Sequence, residues 1–300
     1  VVAGGGGGSW GGGGAGGLYQ ADGSPGKPSL LTSDTGNSLL VRVGDGGAKA
    51  TATISQSYIA ATDSNRLNED GENGGDSYLI GAEDSLFNAS HDNRVATAQA
   101  IRSSATVLMK GGGGGGKNDA TGAQGGSAGG AGQLRAHDIT QTKSGATALD
   151  SADYGNDGGN ARFVIGTPGG TEEAVAYVGG GGGGIAGSGA EGLVTWKRPA
   201  NTVYGGDGGA GTTNDWTGET KVLAAGGGGA AQHARDAGDS PTVVGGLGGG
   251  AQVNGTTVRC GGRGAFGTDD VARVDATPGL ANSGCGGGGA GGFGTSAGDG

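Results

Sequence analysis

Residues 106–126 read TVLMKGGGGGGKNDATGAQGG: a short apolar segment, a lysine, then six residues with no side chain to bury. Such a run is a flexible linker, a phosphate loop or a packed core in its own right. Flexible linkers are Gly/Ser mixtures between polar flanks. Here the runs hold little serine and mostly abut Val, Ala, Tyr and Ile. Ordering a backbone costs roughly 1–2 kcal/mol per residue, with glycine at the upper end. Without side chains, the compensating stabilisation must come from the main chain. A glycine run in the extended left-handed threefold helix has no internal hydrogen bonds, so its N–H and C=O groups need partners on neighbouring runs. Only glycine lets backbones approach closely enough to add Cα–H···O contacts and dispersion. The core glycines on this reading are Gly111, Gly112, Gly113, Gly114, Gly115 and Gly116, and equally Gly179, Gly180, Gly181, Gly182, Gly183 and Gly184.

The same module recurs without a fixed period. Val1–Ala3 precedes Gly4–Gly8, VAYV precedes Gly179–Gly184, and KVLAA precedes Gly226–Gly229. PTVV precedes GGLGGG at 245–250, TTVRC precedes GGRG at 261–264, and SGCGGGGAGG closes the series at 283–292. Solenoid repeats hold their period, so this chain is not one of them. Gly is 81 of 300 residues with only 6 Pro, which excludes collagen and its strict every-third glycine. The segments 38–43, 161–166 and 191–196 read as strands. Residues 92–109 fit both a strand and a helix face, and the β-branched lead-ins elsewhere favour strand. Residues 63–77 and 155–160 read as polar loops.

A net charge of −10 spread along the chain argues against nucleic acid as a partner. No run of 18 apolar residues is present, so no membrane insertion is expected. The chain opens on Val1 and stops inside a glycine-rich stretch, which reads as a piece of a longer protein. Cys260 and Cys285 each sit immediately before glycines. Two readings of them stay open: a disulfide, or two small semi-buried thiols.

VVAGGGGGSWGGGGAGGLYQ followed by NSLLVRVGDGGAKAT resembles the glycine-rich domains of bacteriophage minor tail and tail-fibre proteins, including adhesins. The resemblance is one of style and covers most of the chain. It implies a virion tail protein, extracellular, structural or receptor-binding. Its partners would be other tail proteins and a host cell-surface glycan or protein, and it would be a homotrimer or attached to a trimeric fibre. The fold class expected is all-β or irregular: packed polyglycine II helices in a glycine-rich sandwich, with short strands, long surface loops and little or no α-helix. One domain over 1–300 is expected, divisible into sub-modules 1–135 and 136–300. The second reading is a bacterial cell-surface adhesin or filament protein. A third is a tail-associated depolymerase.

Motifs for catalysis are weak, and no enzyme activity or cofactor is expected. GGGGGGKN at 111–118 imitates a phosphate loop but lacks the hydroxyl after the lysine and a following helix. G-x-S-x-G patterns around Ser9, Ser127 and Ser296 reflect glycine abundance. His91, His137 and His233 show no metal spacing. Asn254-Gly255-Thr256 matches a glycosylation acceptor, which has no meaning on a phage protein. The rare aromatics say more. Trp10, between two glycine runs, reads as a wedge against the core, and Trp196 as packed under a strand end. Trp216 lies in GTTNDWTGET beside Asn214 and Asp215. An aromatic face with amide and carboxylate neighbours is what a sugar site uses. Tyr204 is a candidate to share that site, and Tyr58, Tyr78 and Phe87 form a second candidate.

Overall fold

A computed structural model describes residues 1–20, 39–50, 69–81, 107–117, 119–132, 140–148, 155–166, 174–195, 201–234, 242–268, 274–290 and 297–300. The described residues form an all-β, non-helical fold of several small sheets joined by glycine runs and loops. Among them, no helix is long and apolar enough to cross a membrane.

β1 (Leu39–Arg42), β2 (Ser77–Gly81) and β3 (Val107–Met109) form an antiparallel sheet in that order. A five-stranded sheet runs β15 (Phe266–Thr268), β11 (Ala231–Ala234), β6 (Ala174–Val178), β5 (Ala161–Gly166), β4 (Thr140–Lys143). A third sheet runs β12 (Thr242–Val244), β8 (Thr202–Tyr204), β7 (Leu193–Thr195). β9 (Thr212–Asn214) with β10 (Lys221–Leu223), and β13 (Gly250–Val253) with β14 (Thr256–Arg259), are two hairpins. The expected strands at 38–43, 161–166 and 191–196 contain β1, β5 and β7, with residues 38 and 196 outside the described residues. Of the ambiguous segment 92–109, residues 107–109 are β3, and 92–106 lie outside the described residues.

Between the sheets the main chain bonds in several directions at once, with a repeat of three. In the run 111–116, Gly112 and Gly115 donate to Gly4 and Gly7, while Gly113 and Gly116 donate to Ser127 and Gly130. In 179–184, Gly179 and Gly182 donate to Ala230 and Gly227. Gly180 and Gly183 donate to Ala131 and Ala128, and Gly181 and Gly184 to Ala190 and Gly187. Every third N–H therefore returns to the same neighbour, and all twelve of these glycines are buried.

Run 11–17 is ringed. It donates to 110–116 through Gly11, Gly14 and Gly17, to 180–183 through Gly12 and Ala15, and to 284–287 through Gly13 and Gly16. It accepts from Ala3 and Gly6, from Ser127 and Gly130, and from Gly227. Run 226–229 is ringed in the same way, bonding to 11–17, 179–184, 205–211, 245–249, 261–264 and 286–289. Partners come from both halves of the chain, so the main-chain bonds cross between residues 1–135 and 136–300. Carbonyls can be reached in so many directions because few Cβ atoms stand between the runs, those of Ala15, Ala128 and Ala131 being among the exceptions. Where side chains begin, the bonding flattens into sheets: the Ala231↔Val178 pairing of β11 and β6 continues directly into Gly179 N–H to Ala230 O.

Successive runs go up and down the bundle. Run 3–8 is antiparallel to 11–17 (Ala3 to Gly17, Gly6 to Gly14), and 111–116 is parallel to 3–8. Apolar side chains gather at the two ends. One end holds Trp10 (1% exposed) against Ala50, Ala230, Ala290, Ala297 and Tyr177, together with the cluster Ala176, Val178, Val203 and Ala231. The other holds Ala3 with Met109, and Val222 with Ala225, Cys260 and Cys285. A six-residue run separates the ends by about 19 Å at about 3.1 Å per residue.

Of the two segments expected as polar loops, residues 69–76 and 155–160 are outer runs of the bundle, Ser77 begins β2, and 63–68 lie outside the described residues. Gly71 and Gly74 donate to Gly115 and Gly112, and Gly158 and Gly159 donate to Ala146 and Gly181. Asp70, Asn73 and Asp76 are three apart, as are Asp157 and Asn160, so each set shares one side of its run. From there Asp70, Asn73 and Asp76 accept from the N–H groups of Lys117, Gly114 and Gly111, at 2.9, 2.8 and 3.0 Å. Asp157 and Asn160 do the same for Ala148 and Gly145. A polar composition reads as a loop unless its period is noticed.

Candidate functional site

The β9–β10 hairpin grows out of the glycine run 205–211 and leads back into 225–230. Its register pairs Thr212 with Leu223, Thr213 with Val222 and Asn214 with Lys221. Val222 points down into the apolar floor, while residues 215–220 are all exposed. The tip is fixed by local bonds. Asn214 Oδ1 accepts the Trp216 N–H at 3.1 Å, and the Asp215 carbonyl accepts the Gly218 N–H at 2.9 Å. Gly218 has φ of 83°, a conformation glycine adopts without a steric penalty. Trp216 is left 63% exposed.

Beneath the hairpin, Cys260 and Cys285 are joined in a disulfide with Cα atoms 5.9 Å apart. They pack with Val222 and Ala225, and with Ala251 and Val253 of β13. Ala225 N–H also points at Cys285 Sγ at 3.4 Å. The bridge ties the starts of runs 260–265 and 285–290 together under the floor.

The β13–β14 hairpin stands beside it. Gly211 donates to Gly250 at 3.1 Å, and β13 packs against β9 and β10. Its turn is Asn254-Gly255, with φ of 51° and 77°. Two left-handed residues in a two-residue loop match the right-handed twist of the strands. Asn-Gly between two short strands is a strong hairpin signal, and a glycosylation reading of the same residues passes over it. Outward from this hairpin, Gln252 Nε2 donates to Thr257 Oγ1 at 2.7 Å across the strands, and all four residues of β14 are exposed.

The candidate residues do not all converge. Asn214, Asp215 and Trp216 are together at the hairpin tip. Tyr204 ends β8, where it pairs with Leu193 and Val244, at the opposite end of run 205–211. The intervening residues span roughly 20 Å at about 3.1 Å each. Tyr204 is therefore not part of the Trp216 site. In the second candidate group, Tyr78 is buried in β2 with the Arg42 guanidinium 5.9 Å from its ring centre, so it offers no open face. Tyr58 and Phe87, like Trp196, His91 and His137, lie outside the described residues. His233 is buried in β11.

Chemically, the hairpin end offers one open indole face, with the Asp215 and Glu219 carboxylates and the Thr217 and Thr220 hydroxyls on the same exposed loop. An indole face takes up apolar C–H patches, and carboxylates accept from hydroxyl donors. Among the described residues, no three His, Cys, Asp or Glu side chains cluster as a metal site. The chain matches no family model, no curated protein and no solved structure.

Proposed function

We propose that this chain is a receptor-binding module of a bacteriophage tail tip or tail fibre, in which packed polyglycine II helices hold recognition hairpins rigidly away from the virion. The single observation that carries the reading is the separation of the described residues into a glycine-rich middle, whose only side chains are small, and two ends that carry the large ones, one of which leaves Trp216 exposed on a hairpin. The bonding repeat of three in 111–116 and 179–184 is the repeat of the polyglycine II helix.

The mechanism is preorganisation. A loop that is ordered before binding loses less conformational entropy on contact. Here the order comes from main-chain bonds between neighbouring runs and from the disulfide under the hairpins. The ligand is a host-surface glycan stacked on Trp216, its hydroxyls donating to Asp215 and Glu219.

Immunogold labelling of virions with antibodies to this chain tests the assignment. Label at the tail tip is the expected result. Label on envelopes of uninfected bacteria would replace it with the cell-surface adhesin reading. Binding of the purified chain to isolated host envelope polysaccharide, lost in Trp216→Ala, tests the site separately.

A further inference from the structure

We propose that Asp70, Asn73 and Asp76 stand in for a missing glycine run and thereby seal run 111–117 against a glycine-rich segment of a second copy of this chain. The inference does not rest on the phage assignment.

Run 111–117 differs from its neighbours in one row of donors. Gly112, Gly113, Gly115 and Gly116 reach main-chain carbonyls of other runs. The N–H groups of Gly111, Gly114 and Lys117, three apart and therefore on one side, reach side-chain oxygens instead. The acceptors are also three apart in sequence. While Gly71 and Gly74 bond to Gly115 and Gly112 through the main chain, Asp70, Asn73 and Asp76 cover the next row over. One outer run thus supplies what elsewhere takes two.

The two lysines that bracket the glycines hold this cover in place. Lys110 Nζ lies 3.2 Å from Asp76 Oδ2, and Lys117 Nζ lies 3.9 Å from Asp70 Oδ2. Each carboxylate uses its other oxygen on the run. This gives KGGGGGGK a physical meaning that a phosphate loop does not supply. Related contacts occur elsewhere on the outside: Asp207 accepts from Leu247, Thr277 from Arg263 and Asp299 from Lys49. A row of open donors at regular spacing is a template for another chain, as at a bare sheet edge. Side-chain oxygens at the same spacing remove it.

Sedimentation of the purified chain tests the proposal. The triple variant Asp70→Ala, Asn73→Ala, Asp76→Ala is expected to gain concentration-dependent self-association beyond that of the wild type. A triple variant that unfolds cooperatively yet keeps the wild-type mass distribution would overturn it. Should the triple variant fail to fold, Asn73→Ala and Asn73→Asp decide. Loss of one bond is expected to speed exchange of the Gly114 amide by up to about tenfold and to raise association, and aspartate is expected to restore both. Equal association in wild type and both single variants would refute the seal.

Discussion

A Cβ added to Gly13 would lie 2.0 Å from the carbonyl oxygen of Gly6, on the neighbouring antiparallel run. The obstacle is backbone, held by the Gly6 N–H to Gly14 bond, so it cannot swing aside as a side chain would. Gly13→Ala is expected to lower stability by about 3 kcal/mol or more, at or beyond the upper end for overpacked cores. Gly187→Ala is the control. Its added Cβ would meet nothing closer than 3.5 Å, and a change within about 0.5 kcal/mol is expected. Thermal unfolding of the two variants side by side checks the contrast.

Trp10 fills the end of the bundle among four buried alanines. Alanine cannot be compensated there, because the surrounding glycine runs have no side chains to move into the space. Trp10→Ala is expected to cost about 3–5 kcal/mol. Chemical denaturation should show the unfolding free energy falling by that amount, seen as a lower transition midpoint at unchanged slope.

The disulfide Cys260–Cys285 closes a loop with a sequence separation of 25. A loop of that size corresponds to about 3 kcal/mol in the chain-entropy description. The double variant Cys260→Ala, Cys285→Ala should lose stability of that order. Hydrogen exchange should quicken at 222–225 before it changes at 12–15, because the bridge lies at the hairpin end. Uniform loosening of both segments would contradict that placement.

Trp216 is anchored through its main-chain N–H to Asn214, and most of its side chain is exposed. Trp216→Ala should leave the unfolding free energy within about 0.5 kcal/mol of wild type. It should weaken retention on envelope glycan by about tenfold or more, as expected for an aromatic anchor. Titration calorimetry against isolated polysaccharide measures this, and unchanged affinity would remove Trp216 from the site.

Much of the architecture was legible in residue order. Most apolar lead-ins before glycine runs are strands, as β3, β6 and β12 show, and the all-β, non-helical class follows from them. The burial of Trp10 was also readable, since an indole between two glycine runs has nowhere else to pack. What escaped were patterns hidden by composition. Asp70, Asn73 and Asp76 belong to a stretch that looks like a loop until its period of three is matched to that of run 111–117. Asn254-Gly255 was a turn in plain view.

By itself the sequence determined that main chain, rather than side chains, must fill the middle of this protein, because 81 glycines bring no Cβ with which to do otherwise. It could not determine which run lies beside which. Glycine runs are chemically alike, so their order carries no local signature. The set of runs around 11–17 and around 226–229, the separation of Tyr204 from Trp216 and the meeting of Cys260 with Cys285 come only from the tertiary arrangement. There, the side-chain-bearing segments at the two ends set the register for the featureless runs between them.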